Sequence, residues 1–215
     1  MKTLNTKYLP AQAGQIINTK NLLLATMFTL AFGERVFFDF GPNFELVTTV
    51  LVLSSFYFGR KQSFWLTFFI MLFSDLFIGN TNIFLFTWSG FLIPALFSRN
   101  LINKLTPIFS QVTNYKLPIA NKLMKSFSLT STGLASNLFF YLWTNFGVWL
   151  LSGMYSNTLP GLLMSYINAL PFLKYQFIST LIFLPSIFFT TEAILITARK
   201  LRINISTAAP APRNP

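Results

Sequence analysis

Apolar residues are gathered into six runs along the chain, separated by more polar segments. The runs lie at about 21–38, 44–58, 63–79, 83–97, 127–151 and 175–198. A helix that crosses a bilayer needs about 20 mostly apolar residues, and helices are the default because the membrane core cannot satisfy open backbone groups. The pattern predicts an all-α integral membrane bundle of six transmembrane helices. Several runs are shorter than a full crossing, which leaves a re-entrant segment open.

Turn-forming residues mark the ends of the runs. Gly41-Pro42-Asn43 follows the first run, Gly59 the second, and Asn80-Thr81-Asn82 the third. Pro160 and Pro171 predict a less regular segment before the sixth run, because proline removes a helical hydrogen bond. The predicted domains are a cytoplasmic segment at 1–20, a transmembrane domain at 21–198 with a basic cytoplasmic connection at 98–126, and a disordered cytoplasmic tail at 199–215.

The amino-acid composition excludes several classes of function. The chain is 53% hydrophobic and 10% charged, whereas soluble domains carry about 25% charged residues. Cysteine and histidine are absent, which excludes disulfides, thiolate zinc sites and His-based triads, and there is no G-x-x-x-x-G-K-[ST] phosphate loop. We therefore expect no catalytic site, metal or cofactor. In such a chain the net charge of +11 indicates topology and anionic lipid, not nucleic acid.

Basic residues concentrate in alternate connections between the runs. Of the 16 basic residues, Lys174 lies in an opposite connection and Arg35 lies within the first run. Cytoplasmic loops carry the excess of Lys and Arg, so this asymmetry predicts six crossings, both termini cytoplasmic, and a multi-pass protein of the plasma (inner) membrane. The residues on the predicted cytoplasmic side are Lys2, Lys7, Lys20, Arg60, Lys61, Arg99, Lys104, Lys116, Lys122, Lys125, Arg199, Lys200, Arg202 and Arg213.

Acidic residues are few and fall in or beside the runs. Asp75 lies in the apolar stretch "FFIMLFSDLFIG", near the predicted outer end of the third run. A carboxylate at membrane depth costs roughly 2.5–3.5 kcal/mol on insertion scales, so it should face a partner or a wet cavity. Arg35 and Asn145 are the partners that we expect. Glu192, near the cytoplasmic end of the sixth run, is expected to pair with a basic residue.

A polar stripe follows the fifth run. Asn137, Tyr141, Asn145 and Trp149 recur every four residues, which places them on one helix face that points toward other helices or a cavity. Each candidate has a structural alternative: Arg35 and Asp75 as a stabilising pair, the stripe as interhelical hydrogen bonding, and the outer aromatics as an interfacial belt. The predicted substrate-binding residues are Arg35, Asp75, Trp88, Tyr141, Asn145, Trp149 and Tyr155.

Two sequence blocks resemble known membrane proteins. "FGRKQSFWLTFFIMLFSDLFIG" (58–79) resembles a hairpin and S-D-L-x-x-G span end of the substrate-binding S components of energy-coupling factor (ECF) transporters. "TNFGVWLLSGMYSNTLPGLLMSYINALPF" (144–172) is similar to a block in uncharacterised bacterial six-helix proteins described as transport proteins. The resemblance implies six helices with both termini inside and binding of a vitamin or metal ion from outside. It also implies docking on a shared membrane coupling subunit with two ATPases.

These observations predict a transport protein, not an enzyme. We expect it to bind a small, vitamin-like solute or a metal ion from the outer side, as the substrate-specific component of an ECF-type uptake system. Its expected partners are that solute, the lipid bilayer and the coupling subunit. A stand-alone secondary transporter driven by an ion gradient is the alternative. A lipid-modifying enzyme is a third class, disfavoured because histidine and any recognised catalytic motif are missing.

Overall fold

The computed structural model describes residues 9–38, 44–112 and 118–208, and these residues form six α-helices. Side chains are described over a slightly narrower range, 20–38, 44–110 and 119–198. The predicted all-α class is confirmed, because no strand occurs in the described part of the chain. The helices are α1 (Leu9–Phe37), α2 (Val47–Phe58), α3 (Arg60–Ile78), α4 (Phe84–Val112), α5 (Pro118–Leu151) and α6 (Leu159–Ala208).

Helix α2 lies at the centre of the bundle. It contacts each of the other five helices, and these contact one another in the order α1, α3, α4, α5, α6. Every residue from Glu45 to Ser55 is buried, whichever way its side chain points. A helix that is buried on all faces is surrounded by other helices, and α2 accordingly supplies the middle of the apolar core with Leu51 and Leu53.

Glycine ends two of the central helices. Gly59 separates α2 from α3 with φ of 93°, and Gly79 follows α3 with φ of 79°. Both values lie in the region that glycine adopts without a steric penalty. The breaks predicted at Gly59 and after residue 79 are therefore confirmed. The break predicted at Gly41-Pro42-Asn43 lies outside the described residues.

Four helices are longer than the apolar runs that they contain. Helix α1 begins at Leu9 and α4 continues to Val112, while α5 begins at Pro118. Most of the basic connection predicted at 98–126 is thus helical, with residues 113–117 outside the described part. The reason is that Lys and Leu, which recur in these extensions, favour helix, so the loss of apolar character does not by itself end a helix.

Helix α6 corrects the boundaries predicted for the last third of the chain. It starts at Leu159, within the segment predicted to be irregular, and continues to Ala208, within the tail predicted to be disordered. Pro160 is in the first helical turn, where proline removes no intrahelical bond, and Pro171 and Pro185 are accommodated inside the helix. Residues 209–215 lie outside the described part.

Two helical segments have the length and apolar composition of a membrane span. They are α3 and the first forty residues of α6, Leu159–Ala198; α2 is a shorter apolar helix. These were found among the described residues.

Candidate functional site

An ion pair joins α1 to α3 near the ends of both helices. The Nη2 atom of Arg35 lies 2.9 Å from Oδ1 of Asp75, and Nε of Arg35 donates to Ser74 Oγ at 2.8 Å. The two side chains are 17% and 8% exposed. Of the two partners predicted for Asp75, the structure thus provides Arg35.

Trp88 of α4 completes the contacts of Asp75. Its indole N–H donates to Oδ2 of Asp75 at 2.6 Å. The indole ring meets Phe68 of α3 and Phe84 of α4 edge to face, at centroid distances of 5.7 and 6.4 Å. Both carboxylate oxygens of Asp75 therefore hold a donor, and three helices meet at one carboxylate. Three predicted site residues, Arg35, Asp75 and Trp88, are brought together.

Two further carboxylates lie at the N-terminus of the central helix. Glu45 accepts from the backbone N–H of Val47 at 2.9 Å and from Thr48 Oγ1 at 2.7 Å. Glu34 of α1 accepts from the backbone N–H of Leu46 at 3.1 Å. The first N–H groups of a helix have no intrahelical partner and carry a partial positive charge, so carboxylates stabilise them.

Glu34 and Glu45 extend the candidate site beyond the predicted residues. Arg35 interacts electrostatically with Glu45 as well as with Asp75. We name these four residues the outer charge cluster, after the side of the membrane that the sequence predicts for them: Glu34, Arg35, Glu45 and Asp75. With every group ionised, three carboxylates against one guanidinium leave a formal charge of −2. The sequence signal for Glu45 was an acidic residue just before the apolar residues of α2.

The outer charge cluster does not form a recognisable metal centre. In the part of the chain that the structure describes, no three His, Cys, Asp or Glu side chains are grouped closely enough to hold a metal ion. The carboxylates of Glu34 and Glu45 are instead directed to backbone N–H groups. The arrangement favours hydrogen bonding and charge pairing with a ligand over metal coordination.

The remaining predicted site residues bond elsewhere, in the C-terminal half of α5, the α5–α6 connection and the start of α6. Tyr141 Oη donates to the Tyr166 carbonyl at 2.7 Å, and Asn145 Nδ2 donates to the Tyr141 carbonyl at 2.7 Å. Trp149 Nε1 donates to the Ser156 carbonyl at 3.0 Å. The Tyr155 hydroxyl accepts from Asn168 Nδ2 at 3.2 Å. The bonds of Tyr141, Trp149 and Tyr155 stabilise the α5–α6 hairpin, whereas the Asn145 amide bonds within α5, and none of the four reaches Asp75.

Buried polar groups link the start of α2 to α5 and α6 through hydrogen bonds. Asn137 Nδ2 donates to the Gln176 carbonyl at 3.0 Å and to Thr180 Oγ1 at 2.8 Å, and Ser179 Oγ donates to the Glu45 carbonyl at 2.9 Å. The Asn137 Oδ1 and Gln176 Nε2 atoms are buried without a protein partner. Gln176 was missed by the sequence reasoning, since its position in the sixth run gave no separate signal.

A second charge cluster lies at the opposite end of the helices. Lys122 Nζ is 3.6 Å from Oε2 of Glu192, and Tyr57 Oη donates to Oε1 of Glu192 at 3.2 Å. The prediction that Glu192 pairs with a basic residue is confirmed. This contact joins α2, α5 and α6 far from Asp75 and so serves as a reference for tests of the outer charge cluster.

Comparison with known proteins identifies a family. Residues 15–203 match the model of DUF6580, a family of unknown function. No curated protein and no solved structure matches the chain.

Proposed function

The chain belongs to the DUF6580 family of unknown function, and we propose that it is a multi-pass membrane transport protein that binds a small solute from the outer side. In this proposal all six helices lie in the plasma (inner) membrane with both termini cytoplasmic. The solute site is the outer charge cluster with Trp88. The observation that carries the proposal is the convergence of three acids and Arg35 at one end of an otherwise apolar bundle.

The cost of these charges supports a functional site. The sequence holds five acidic residues, and three of them belong to the outer charge cluster. Ionisable groups within membrane helices are expensive and mark ligand or ion pathways more often than not. The Arg35–Asp75 pair caps no helix end, whereas Glu34 and Glu45 also bond to backbone N–H groups at the N-terminus of α2. The formal surplus of carboxylates suits a solute that brings several hydrogen-bond donors.

The N-terminus of α2 lies beside the first half of α6. Ser179, which bonds to the Glu45 carbonyl, lies twenty residues after the start of α6, which is about 30 Å of helix. The first part of α6 therefore extends past the N-terminus of α2. In this proposal the solute reaches the cluster between the helices, since polar side chains inside a helical bundle face other helices and not lipid.

In this proposal a partner supplies the energy for transport. The chain has no phosphate loop of its own. The resemblance to ECF S components supports a shared coupling subunit with two ATPases. A stand-alone transporter coupled to an ion gradient is the alternative. Co-purification of ATPase subunits from native membranes favours the first, and proton-dependent uptake by the chain alone in vesicles favours the second.

A thermal-shift screen of water-soluble vitamins and related small solutes tests the proposal, because a ligand that binds the folded state raises its melting temperature. Asp75→Asn keeps the shape of the side chain and removes its charge, and Arg35→Gln removes the opposite charge. Glu192→Gln is the matched control, since it removes a charged partner at the other end of the bundle.

The outcomes separate a binding site from a stabilising pair. We expect a solute that shifts the wild type to shift Glu192→Gln equally and to shift the two outer variants by much less at the same concentration. If Asp75→Asn and Arg35→Gln melt at lower temperatures but keep the full ligand shift, the pair is structural and the solute site lies elsewhere.

A further inference from the structure

An apolar groove of about 220 Å³ lies between α4 and α5. Its walls include Ile93, Phe97 and Leu101 of α4, and Ala135 and Phe139 of α5. Phe97 is 62% exposed, so the groove is open at the side of the bundle. It lies apart from the outer charge cluster, on helix faces that do not include Trp88.

The groove offers no free hydroxyl to an occupant. Its two serines, Ser98 and Ser136, are buried, and each hydroxyl donates to a carbonyl of its own helix. These bonds measure 2.7 Å to Pro94 and 2.8 Å to Thr132. With the hydroxyls engaged, the surface that remains is hydrocarbon. The occupant that this surface favours is an apolar chain.

The size of the groove distinguishes a flexible chain from a helix. The span from Ile93 to Leu101 is eight residues, or about 12 Å along α4. A partner helix is about 10–12 Å wide including its side chains, which is wider than a groove of this size. A single acyl chain is thin enough to enter.

Two basic residues lie beyond the groove, toward the predicted cytoplasmic ends of α4 and α5. Lys104 follows Phe97 and Leu101 at helical spacing, which puts it on the same face of α4 and one turn below the groove. Lys125 lies fourteen residues before Phe139 on α5, again on the groove side. Both lysines are exposed. Arg99 and Lys122 are engaged with partners inside the bundle.

We infer that the α4–α5 groove binds an anionic phospholipid of the cytoplasmic leaflet. One acyl chain fills the groove, and the headgroup phosphate pairs with Lys104, with Lys125 nearby. Lysines at this depth extend their ammonium groups to the headgroups while their carbon chains lie on apolar surface. This inference rests on the membrane orientation of the proposed function but not on the solute site.

Lipid retention in nanodiscs tests the inference. The protein is reconstituted in equal parts of phosphatidylglycerol and phosphatidylcholine, extracted in mild detergent, and the retained lipids are measured by mass spectrometry. We expect phosphatidylglycerol to be enriched on the wild type. Lys104→Gln should lower that enrichment about fivefold, since one surface lysine contributes about 1 kcal/mol to anionic lipid binding. Ala135→Phe should reduce the retention of both lipids by filling the groove.

Two controls make the result specific. Lys61→Gln removes an exposed charge at the start of α3, away from the groove, and should keep the enrichment. Asp75→Asn should also keep it, so failure of the solute site would leave this result unchanged. Equal retention of both lipids by the wild type would overturn the inference. So would equal losses in Lys61→Gln and Lys104→Gln, because binding would then follow total charge. Retention of a protein subunit in the groove in place of lipid would overturn it as well.

Discussion

Arg99 holds the C-terminal end of the central helix. Its Nη1 group donates to the Ser55 carbonyl at 3.2 Å and to the Phe56 carbonyl, and both belong to the last turn of α2. The last four carbonyls of a helix have no intrahelical donor, and together they carry a partial negative charge. Arg99→Met should therefore destabilise the whole bundle, because α2 contacts all five other helices.

The size of the effect follows from the two carbonyls. The Ser55 carbonyl also accepts from the Gly59 backbone N–H at 3.1 Å, so this carbonyl keeps a partner when Arg99 is replaced. The Phe56 carbonyl loses its guanidinium donor, at a cost of about 1–2 kcal/mol for a part-buried group. Loss of the cation from the helix terminus adds about 1 kcal/mol. The total of about 2–3 kcal/mol corresponds to a fall in Tm of roughly 4–12 °C for a chain of this size.

Thermal unfolding of the purified protein in detergent, followed by tryptophan fluorescence, measures the fall. Arg99→Lys should recover part of the loss, because an ammonium keeps the charge but cannot reproduce the guanidinium fork. Arg60→Gln is the control, since Arg60 is exposed and its replacement should change stability by less than about 0.5 kcal/mol. A Tm of Arg99→Met equal to that of the wild type would refute the reasoning. An equal fall in Arg60→Gln would assign the effect to net charge.

Two further predictions concern packing and topology. Gly133→Ala should destabilise by about 1–3 kcal/mol, because the new Cβ would lie 2.7 Å from Thr180 Cγ2 and 3.0 Å from Leu184 Cδ1. Gly33→Ala, which meets nothing within 4 Å, should be neutral or stabilising in the same denaturation assay. A reporter fused after Pro215 should read as cytoplasmic, given the distribution of basic residues, and an external signal would contradict the six-span topology.

Hydropathy located the helices well but their ends poorly. The runs predicted at 44–58 and 63–79 differ from α2 and α3 by a few residues, because glycine closes each helix where the apolar run also stops. Helices α4, α5 and α6 exceed their runs by nine or more residues. The extensions of α4 and α5 and the C-terminal extension of α6 are polar and basic but contain residues that favour helix, whereas residues 159–174 of α6 are apolar and continue through Pro171.

The candidate site was predictable where charge had to be compensated. An isolated carboxylate in an apolar helix needs a partner. Arg35 was the basic residue within the apolar runs at the same predicted membrane depth as Asp75. The structure contains this pair. Asn145 was an equally reasonable partner by depth. Its amide is engaged by its own helix, at the Tyr141 carbonyl, and sequence spacing cannot rank a tertiary contact against a local one.

The burial of α2 explains why an apolar chain keeps these charges. A short helix enclosed by five others has no water to satisfy its terminal N–H and C=O groups, so side chains must do so. Glu34 and Glu45 bond at one end and Arg99 at the other, with the signs that the helix dipole favours. Glu45 is therefore committed largely to α2. Within the outer charge cluster, the Arg35–Asp75 pair is the part that can exchange partners with a solute while α2 keeps both of its ends satisfied. This division explains why substitutions at Asp75 should separate ligand affinity from stability, whereas a substitution at Glu45 would change both.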